Sequence, residues 1–434
     1  MLENHKTMAL AAFLLLGSHA SAQAPVVDTL EAGGRSVRFA TFNVSLNRAS
    51  SGALIRDLST PDDKQARAVA EILQRVDADV VLLNEFDYDK EGKAIDLFRS
   101  KYLEVAQNGA KPLRYPHVFL APSNTGIDSG FDLDNDKQVG GPGDAFGFGF
   151  FPGQFGMVLL SKHRIDGARS RTFQNFLWKD MPGARLPDDA ATSAPRDWFT
   201  KQELDVVRLS SKSHWDVVVH VEGLRVHCLC AHPTPPVFDG PEDRNGTRNH
   251  DELRFWSDYV LPWSSRYIRD DKGRRGGLDF GDRFVILGDY NADPFDGDST
   301  AKAASWLTLN PFINTKRTPS SDGGPEAARL QGQANANHVG APRFDTADFS
   351  DATPGNLRVD YALPSWNMRL KSAGVFWPVQ ADPLARLTGD GTTIVSSDHR
   401  MTWVDVDPRR FERLSDFDGA WLRWAAWLEW VARN

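Results

Sequence analysis

The amino-acid sequence predicts an α+β sandwich rather than a doubly wound parallel sheet. Strand-like segments outnumber helical ones, and many of them follow one another without an intervening helix. The chain has 434 residues, of which 41% are hydrophobic and 25% charged, so it can form a large core and is not disordered as a whole. A two-sheet core with insertions can absorb this length, and we therefore expect a single main domain.

The predicted elements follow from the spacing of apolar residues. In Asp62–Val76 apolar side chains recur at helical spacing, and Asp251–Val260 is a second predicted helix. Short apolar or alternating segments predict the strands Val37–Phe42, Asp79–Leu83, Phe155–Ser161, Trp215–His220, Leu224–Cys230, Phe284–Leu287, Arg358–Ala362 and Met401–Val406. Long turn-rich segments between them are predicted insertions, which usually act as lids or binding loops: Ser123–Gly153, Arg169–Asp205 and Arg317–Asn356.

Residues 1–22 are typical of a cleaved secretion signal. The apolar segment Met8–Gly17 follows Lys6, and the small residues Ala20-Ser21-Ala22 suit signal peptidase. The apolar segment is too short to span a bilayer. We therefore expect a secreted or periplasmic protein, with an apolar helix packed on the domain as the alternative.

Net charge and cysteine content narrow the function further. The formal net charge is -8, which argues against a protein that holds nucleic acid by bulk electrostatics, although a local basic cleft stays open. The two cysteines, Cys228 and Cys230, lie two residues apart on a predicted strand, a spacing that strains a disulfide. We expect both to be core residues.

An acidic loop suggests a calcium site. Asp132, Asp134 and Asp136 alternate as in calcium-binding loops, and a Ca²⁺ site in residues 132–144 is one interpretation. The glycine and the closing glutamate of such loops are missing, so a solvated loop is the favoured interpretation.

The C-terminal segment 408–434 is rich in tryptophan. Trp421, Trp424, Trp427 and Trp430 recur every three residues and predict one broad aromatic face on a helix. The helix either docks on the domain or contacts a membrane surface or a partner.

Polar residues follow several predicted strands directly. This is the layout of a metal and phosphate site, because strand ends bring such side chains to one edge. The short motifs are Thr41-Phe42-Asn43, Asn84-Glu85, Gly156 to Lys162, Ala231-His232-Pro233-Thr234, Gly288-Asp289-Tyr290-Asn291, Arg358-Val359-Asp360-Tyr361 and Ser397-Asp398-His399.

In this order, the motifs resemble those of the endonuclease/exonuclease/phosphatase superfamily over residues 36–407. The resemblance implies a four-layered α/β sandwich, in which two mostly antiparallel sheets pack face to face with helices outside. It also implies a divalent cation, usually Mg²⁺ with Mn²⁺ as the alternative, held by Glu85 with help from Asn43 and Asp398. Carboxylate oxygens, retained waters and substrate phosphate are the ligands that Mg²⁺ prefers.

The resemblance also implies roles for the catalytic residues. His399 would pair with Asp360, which orients the imidazole and stabilises its cationic form. His232 would contact the scissile phosphate or protonate the leaving oxygen. Asp289 would align or deprotonate the attacking water, and Asn291 would donate to a phosphoryl oxygen.

Between His232 and Asp289, the segment Gly240–Arg254 mixes arginine and asparagine. It predicts an anion-binding loop that leads into a helix, with Arg248 as the substrate-binding residue, because guanidinium groups grip phosphate in a fork. A solvated, salt-bridged loop is the alternative.

The expected function is that of a secreted, divalent-metal-dependent phosphoesterase. A nuclease or phosphodiesterase is the first expectation. A phosphatase or a sphingomyelinase-like hydrolase of phospholipid head groups is the alternative, and a non-catalytic binding protein on the same fold is a third. The sequence indicates no oligomeric state.

Overall fold

The computed structural model describes residues 36–390, 393–409 and 427–432. The predicted signal segment 1–22 lies outside the described residues, as do Trp421 and Trp424. Among the described residues, no helix combines the length and apolar character needed to cross a bilayer.

The first sheet has six strands in the spatial order β12-β13-β1-β2-β4-β3. Only β1 and β2 run parallel, and the other neighbours are antiparallel. Its strands are β1 (Val37–Leu46), β2 (Val80–Phe86), β3 (His117–Phe119), β4 (Met157–Ser161), β12 (Arg369–Val375) and β13 (Thr402–Asp407).

The second sheet has five strands in the order β11-β8-β7-β6-β5, and only β7 and β8 run parallel. A separate pair of short strands, β9 (Ala347–Asp348) and β10 (Asn356–Leu357), lies in the third predicted insertion. The strands of the second sheet are β5 (Arg171–Thr172), β6 (Trp215–Val221), β7 (Leu224–Ala231), β8 (Arg283–Asp289) and β11 (Asp360–Pro364).

The sheets pack face to face through aliphatic side chains. Phe39 and Leu82 from the first sheet share one apolar cluster with Val217 and Val285 from the second. Cys228 and Cys230 lie in this cluster as free, buried thiols, which confirms them as core residues. Both faces of each central strand are covered, and this explains their nearly continuous apolar sequences.

Helices cover the outer face of each sheet, which completes the predicted four layers. Helix α2 (Lys64–Val76) packs on the first sheet, and its N-terminus is capped by Asp63, whose side chain accepts from the Ala66 backbone N–H. On the second sheet, Leu253, Trp256 and Tyr259 of helix α5 (Arg244–Tyr259) enter the outer cluster. The remaining helices are short: α1 (Ala53–Leu58), α3 (Lys93–Phe98), α4 (Lys201–Leu204), α6 (Ser305–Thr308) and α7 (Gly323–Gln331).

Helix α5 begins seven residues before its predicted start, because the polar segment predicted as a loop is already helical from Arg244. Its middle buries Asn249, His250, Asp251 and Glu252. Buried polar residues conceal the apolar period on which the sequence prediction depends. The prediction that the segment from Gly240 stays non-helical until Asp251 is therefore wrong from Arg244 onward.

Residues 427–432 are helical, and this part of the C-terminal segment docks on the domain. Trp427 is buried in the outer cluster, and the Trp430 ring packs edge-on against Trp306 with ring centroids 4.5 Å apart. The described tryptophans thus favour the docked helix over membrane contact.

Candidate active site

The first sheet delivers polar side chains to one edge. Because β1 and β2 are parallel and pair Asn43 with Asn84, Asn43 and Glu85 emerge at the same end. Strand β13 runs antiparallel to β1, so the residues that precede it, Asp398 and His399, arrive at that end as well.

The second sheet delivers its residues to the same place. Strands β7 and β8 are parallel and pair Ala231 with Gly288, so the next residues, His232 and Asp289, leave the sheet side by side. Strand β11 is antiparallel to β8 and pairs Asp360 directly with Asp289.

The Asp289 carboxylate is the point where the two sheets meet. Its Oδ2 accepts from Asn43 Nδ2 at 3.0 Å and lies 3.4 Å from His232 Nε2 and 3.6 Å from His399 Nε2. Its Oδ1 accepts from the Asn291 backbone N–H at 2.9 Å, which forms an Asx turn while Oδ2 still faces the site. Burial raises the pKa of Asp289 to about 6, against the opposing charge of His399.

His399 and Asp360 form a buried pair. His399 Nδ1 donates to Asp360 Oδ2 at 2.9 Å, and the other ring nitrogen faces Asp289. Burial acts to lower the pKa of His399, but the charges of Asp360 and Asp289 outweigh it and raise the pKa well above its usual value. The ring is therefore an imidazolium near neutral pH.

The pKa of His232 is shifted in the opposite direction from that of His399. It is buried, and burial together with the charges of Lys212 and His399 holds its pKa well below the usual value. Its Nδ1 has no hydrogen-bond partner among the described residues. A neutral His232 suits contact with the phosphoryl group better than protonation of a leaving oxygen, which requires the cationic form.

Glu85 lies beside Asn43 in a left-handed backbone conformation, with φ of 56°. One carboxylate oxygen accepts from Asn43 Nδ2 at 3.1 Å and the other from Asn47 Nδ2 at 2.7 Å. Burial raises the pKa of Glu85, and Asp398 and Asp289 raise it further while His399 opposes them. Such a left-handed residue in a site is a strained feature that the surrounding fold must hold in place.

The arrangement fits a divalent cation. The charges of Asp398 and Asp289 disfavour the ionised form of Glu85, a repulsion that a bound cation would remove. The Asp398 side chain is held in place by Ser45, because its Oδ1 accepts from Ser45 Oγ at 3.0 Å. Asp289, Asp360 and His399 also bring ligand atoms within 4.8 Å of one another. His399 and Asp360 already bond each other, and Asn43 presents its Nδ2 rather than its oxygen to Glu85 and Asp289. The Mg²⁺ site at Glu85, Asn43 and Asp398 therefore stays a prediction.

Two predicted substrate contacts are partly engaged by the protein itself. Asn291 Nδ2 donates to the Pro233 carbonyl at 3.1 Å. Arg248 donates through Nε to the Leu209 carbonyl and through Nη2 to the Arg208 carbonyl, each at 2.9 Å. The anion-binding role of Arg248 stays a prediction, now confined to Nη1.

Sequence reasoning missed three residues near the site. Asn47 follows Asn43 in the same segment of the chain, and its Nδ2 donates to Glu85 Oε2. Lys212 lies in a polar segment just before β6, and Glu252 lies in helix α5. The pattern Asn43, Ser45, Asn47 on alternate positions was a detectable signal for the first, whereas nothing in the sequence marks the other two.

In the first insertion, the carboxylates of Asp132, Asp134 and Asp136 lie within 4.8 Å of one another. They accept hydrogen bonds from backbone N–H groups of the same loop, including those of Asp136, Lys137 and Gln138. This arrangement agrees with the favoured solvated loop, and Ca²⁺ binding stays a prediction.

Comparisons with known proteins place the chain in context. Residues 40–399 match the family model described as "Endonuclease/Exonuclease/phosphatase family". A comparison with curated proteins found no match.

Solved structures that resemble the chain have low sequence identity. An endonuclease/exonuclease/phosphatase from Beutenbergia cavernae is 18% identical, with a TM-score of 0.45 over 87% of this chain and 72% of that one. A mannosyl-6-phosphatase from Bacteroides thetaiotaomicron is 11% identical, with a TM-score of 0.41 over 86% and 99%. Sphingomyelinase C from Streptomyces griseocarneus is 15% identical, with a TM-score of 0.41 over 86% and 99%.

Proposed function

Because the chain belongs to the endonuclease/exonuclease/phosphatase family, we propose that it is a divalent-metal-dependent phosphoesterase that hydrolyses a phosphodiester or phosphomonoester with water. The observation that carries this proposal is the position of Asp289 Oδ2, which lies between the His232 and His399 imidazoles and bonds the same amide as Glu85. A carboxylate so placed can align or deprotonate a water molecule next to a phosphoryl group.

In the proposed hydrolysis, three side chains of the site have separate roles. Asp289 accepts the proton of the attacking water, whose oxygen bonds phosphorus as the ester oxygen departs in line. The His399 imidazolium, held by Asp360, places positive charge beside the phosphoryl group and can protonate the departing oxygen. His232 contacts a non-bridging oxygen.

The cation site is proposed at Glu85, Asn43 and Asp398, with Mg²⁺ as the ion. When bound there, the cation neutralises charge on the phosphoryl oxygens. Asn43 and Asn47 orient the Glu85 carboxylate for this role, because each donates a hydrogen bond to one of its two oxygens.

The test is a substrate panel with matched variants. The purified protein is assayed with Mg²⁺ and with EDTA on bis-p-nitrophenyl phosphate, p-nitrophenyl phosphate, plasmid DNA, RNA, inositol phosphates and sphingomyelin. We expect hydrolysis of at least one ester, its loss with EDTA, and its loss in His399→Ala and Asp289→Asn. Absence of hydrolysis across the panel would instead favour a binding protein on this fold.

A second candidate, hydrolysis of phospholipid head groups, is favoured by exposed aromatic side chains on segments that adjoin site residues along the chain. These rings lie on the first insertion, between His232 and α5, and just after Asn291: Phe148, Phe150, Phe238 and Phe295. Phe238 is 87% exposed, and burying a phenylalanine in lipid is favourable by about 2 kcal/mol.

This candidate is tested with the double variant Phe148→Ser and Phe150→Ser. Hydrolysis of sphingomyelin in vesicles should fall, whereas hydrolysis of soluble p-nitrophenyl esters should not change. If both activities are unchanged, these rings do not contact lipid.

A further inference from the structure

Lys212 is a buried lysine whose ammonium group has no protein partner. Lys212 is only 6% exposed and lies in the polar segment before β6. Among the described residues, none lies within hydrogen-bonding or ion-pairing distance of Nζ, and Nζ is not itself fully enclosed. The nitrogen therefore opens into a space rather than into the packed interior.

Carboxylates of the candidate active site are among the charges that act on this nitrogen. The charges of Glu85 and Asp289 act on the Lys212 ammonium, as does the charge of Glu252 on helix α5. In the other direction, the Lys212 charge is one of the two that hold His232 neutral. The ammonium thus lies near both the proposed cation site and His232, yet it bonds neither.

The backbone around Lys212 is fixed before any ligand arrives. Glu252 Oε1 accepts from the Ser211 backbone N–H at 2.8 Å, and its Oε2 accepts from the Thr234 backbone N–H at 2.6 Å. Glu252 therefore ties the loop that carries Lys212 to the loop that carries His232. On the other side, the Lys212 carbonyl accepts from the Asn124 backbone N–H at 2.7 Å.

A structural role does not explain this lysine. A buried charge is costly unless an acceptor compensates it, and a lysine that served stability would form an ion pair. An ammonium has three donors and no acceptor, so its missing partner is an anion. Phosphate oxygens form strong charge-assisted bonds with such a donor.

We propose that Lys212 is a substrate-binding residue that donates to a non-bridging oxygen of the scissile phosphoryl group, beside His232. This assignment rests on the proposed phosphoesterase function. It adds a fixed positive charge from the protein beside His232.

The test uses Lys212→Met, which keeps the apolar stem and removes the charge, with Lys111→Met at an exposed lysine as the matched control. Binding of inorganic phosphate in the presence of Mg²⁺ is measured by calorimetry, and kcat/KM is measured on each ester that the wild type hydrolyses. We expect phosphate affinity and kcat/KM to fall roughly 10- to 100-fold in Lys212→Met only. Its thermal midpoint should be equal to or higher than that of the wild type, because a buried charge is gone.

Unchanged phosphate affinity in Lys212→Met would overturn the assignment. If that variant does not fold, Lys212→Gln is measured in the same way and judged by the same two outcomes. If the wild type hydrolyses none of the esters, the proposed function fails, but the comparison of phosphate affinities still decides the role of Lys212.

Discussion

Asn84 links the two sheets, and its replacement by alanine should destabilise the whole domain. The side chain is fully buried at the end of β2. Its Oδ1 accepts from Thr41 Oγ1 at 3.2 Å within the first sheet, and its Nδ2 donates to the Ala231 carbonyl of the second sheet at 3.3 Å. Ala231 directly precedes His232, so the same bond supports the site.

The magnitude follows from the groups left without partners. Each hydrogen bond contributes about 1 kcal/mol, and a buried carbonyl or hydroxyl left unpaired costs about 1–3 kcal/mol. For Asn84→Ala we therefore expect the free energy of unfolding to fall by about 2–4 kcal/mol. This is a large part of the roughly 5–15 kcal/mol typical of a folded domain.

Urea unfolding followed by tryptophan fluorescence measures the change. The control is Asn337→Ala, which removes an exposed amide that makes one long bond of 3.5 Å to the Gln333 carbonyl, and it should change stability by less than about 0.5 kcal/mol. Equal stabilities of the two variants would refute the claim that Asn84 joins the sheets.

Two further predictions concern buried carboxylates. Asp360→Asn should lower kcat roughly 10³-fold or more with little change in thermal midpoint, because the neutral amide of asparagine cannot stabilise the imidazolium of His399. A fall in kcat of less than tenfold would contradict the role of the pair. Burial raises the pKa of Asp345 to about 8, so between about pH 4 and pH 8 the folded state keeps a proton that the unfolded state releases, and stability falls as pH rises. Asp345→Asn should flatten this dependence and be more stable than the wild type above pH 8, as measured by thermal unfolding in EDTA; parallel curves for both proteins would show that Asp345 does not titrate this way.

Eight of the described strands and several site residues could be predicted because they depend on local sequence, whereas β3, β5, β9, β10 and β12 were not predicted. Segments such as Phe284–Leu287 are apolar throughout since both faces of the sheet are covered, and this leaves a detectable signal. A polar residue at the end of such a segment, such as Asp289, is expected to lie at the edge of the sheet. The order of these motifs was enough to identify the family that the match over residues 40–399 shows.

Helix α5 could not be placed in full by the same means. Glu252 and its neighbours are buried polar residues, and their partners lie far away in the sequence, as the bond from Ser211 to Glu252 shows. For the same reason Arg248, which reads as a free cation, turned out to bond backbone carbonyls through two of its nitrogens.

By itself, the sequence determined the central strands of both sheets, which polar residues stand at their ends, and the family to which the chain belongs. Only the tertiary structure decided that the pKa of His399 is raised while that of His232 is lowered, and that Lys212 finds no partner among the described residues. The physical reason is that periodicity depends on neighbours along the chain. Charge state and hydrogen bonding depend on neighbours in space, and around this site those come from both sheets.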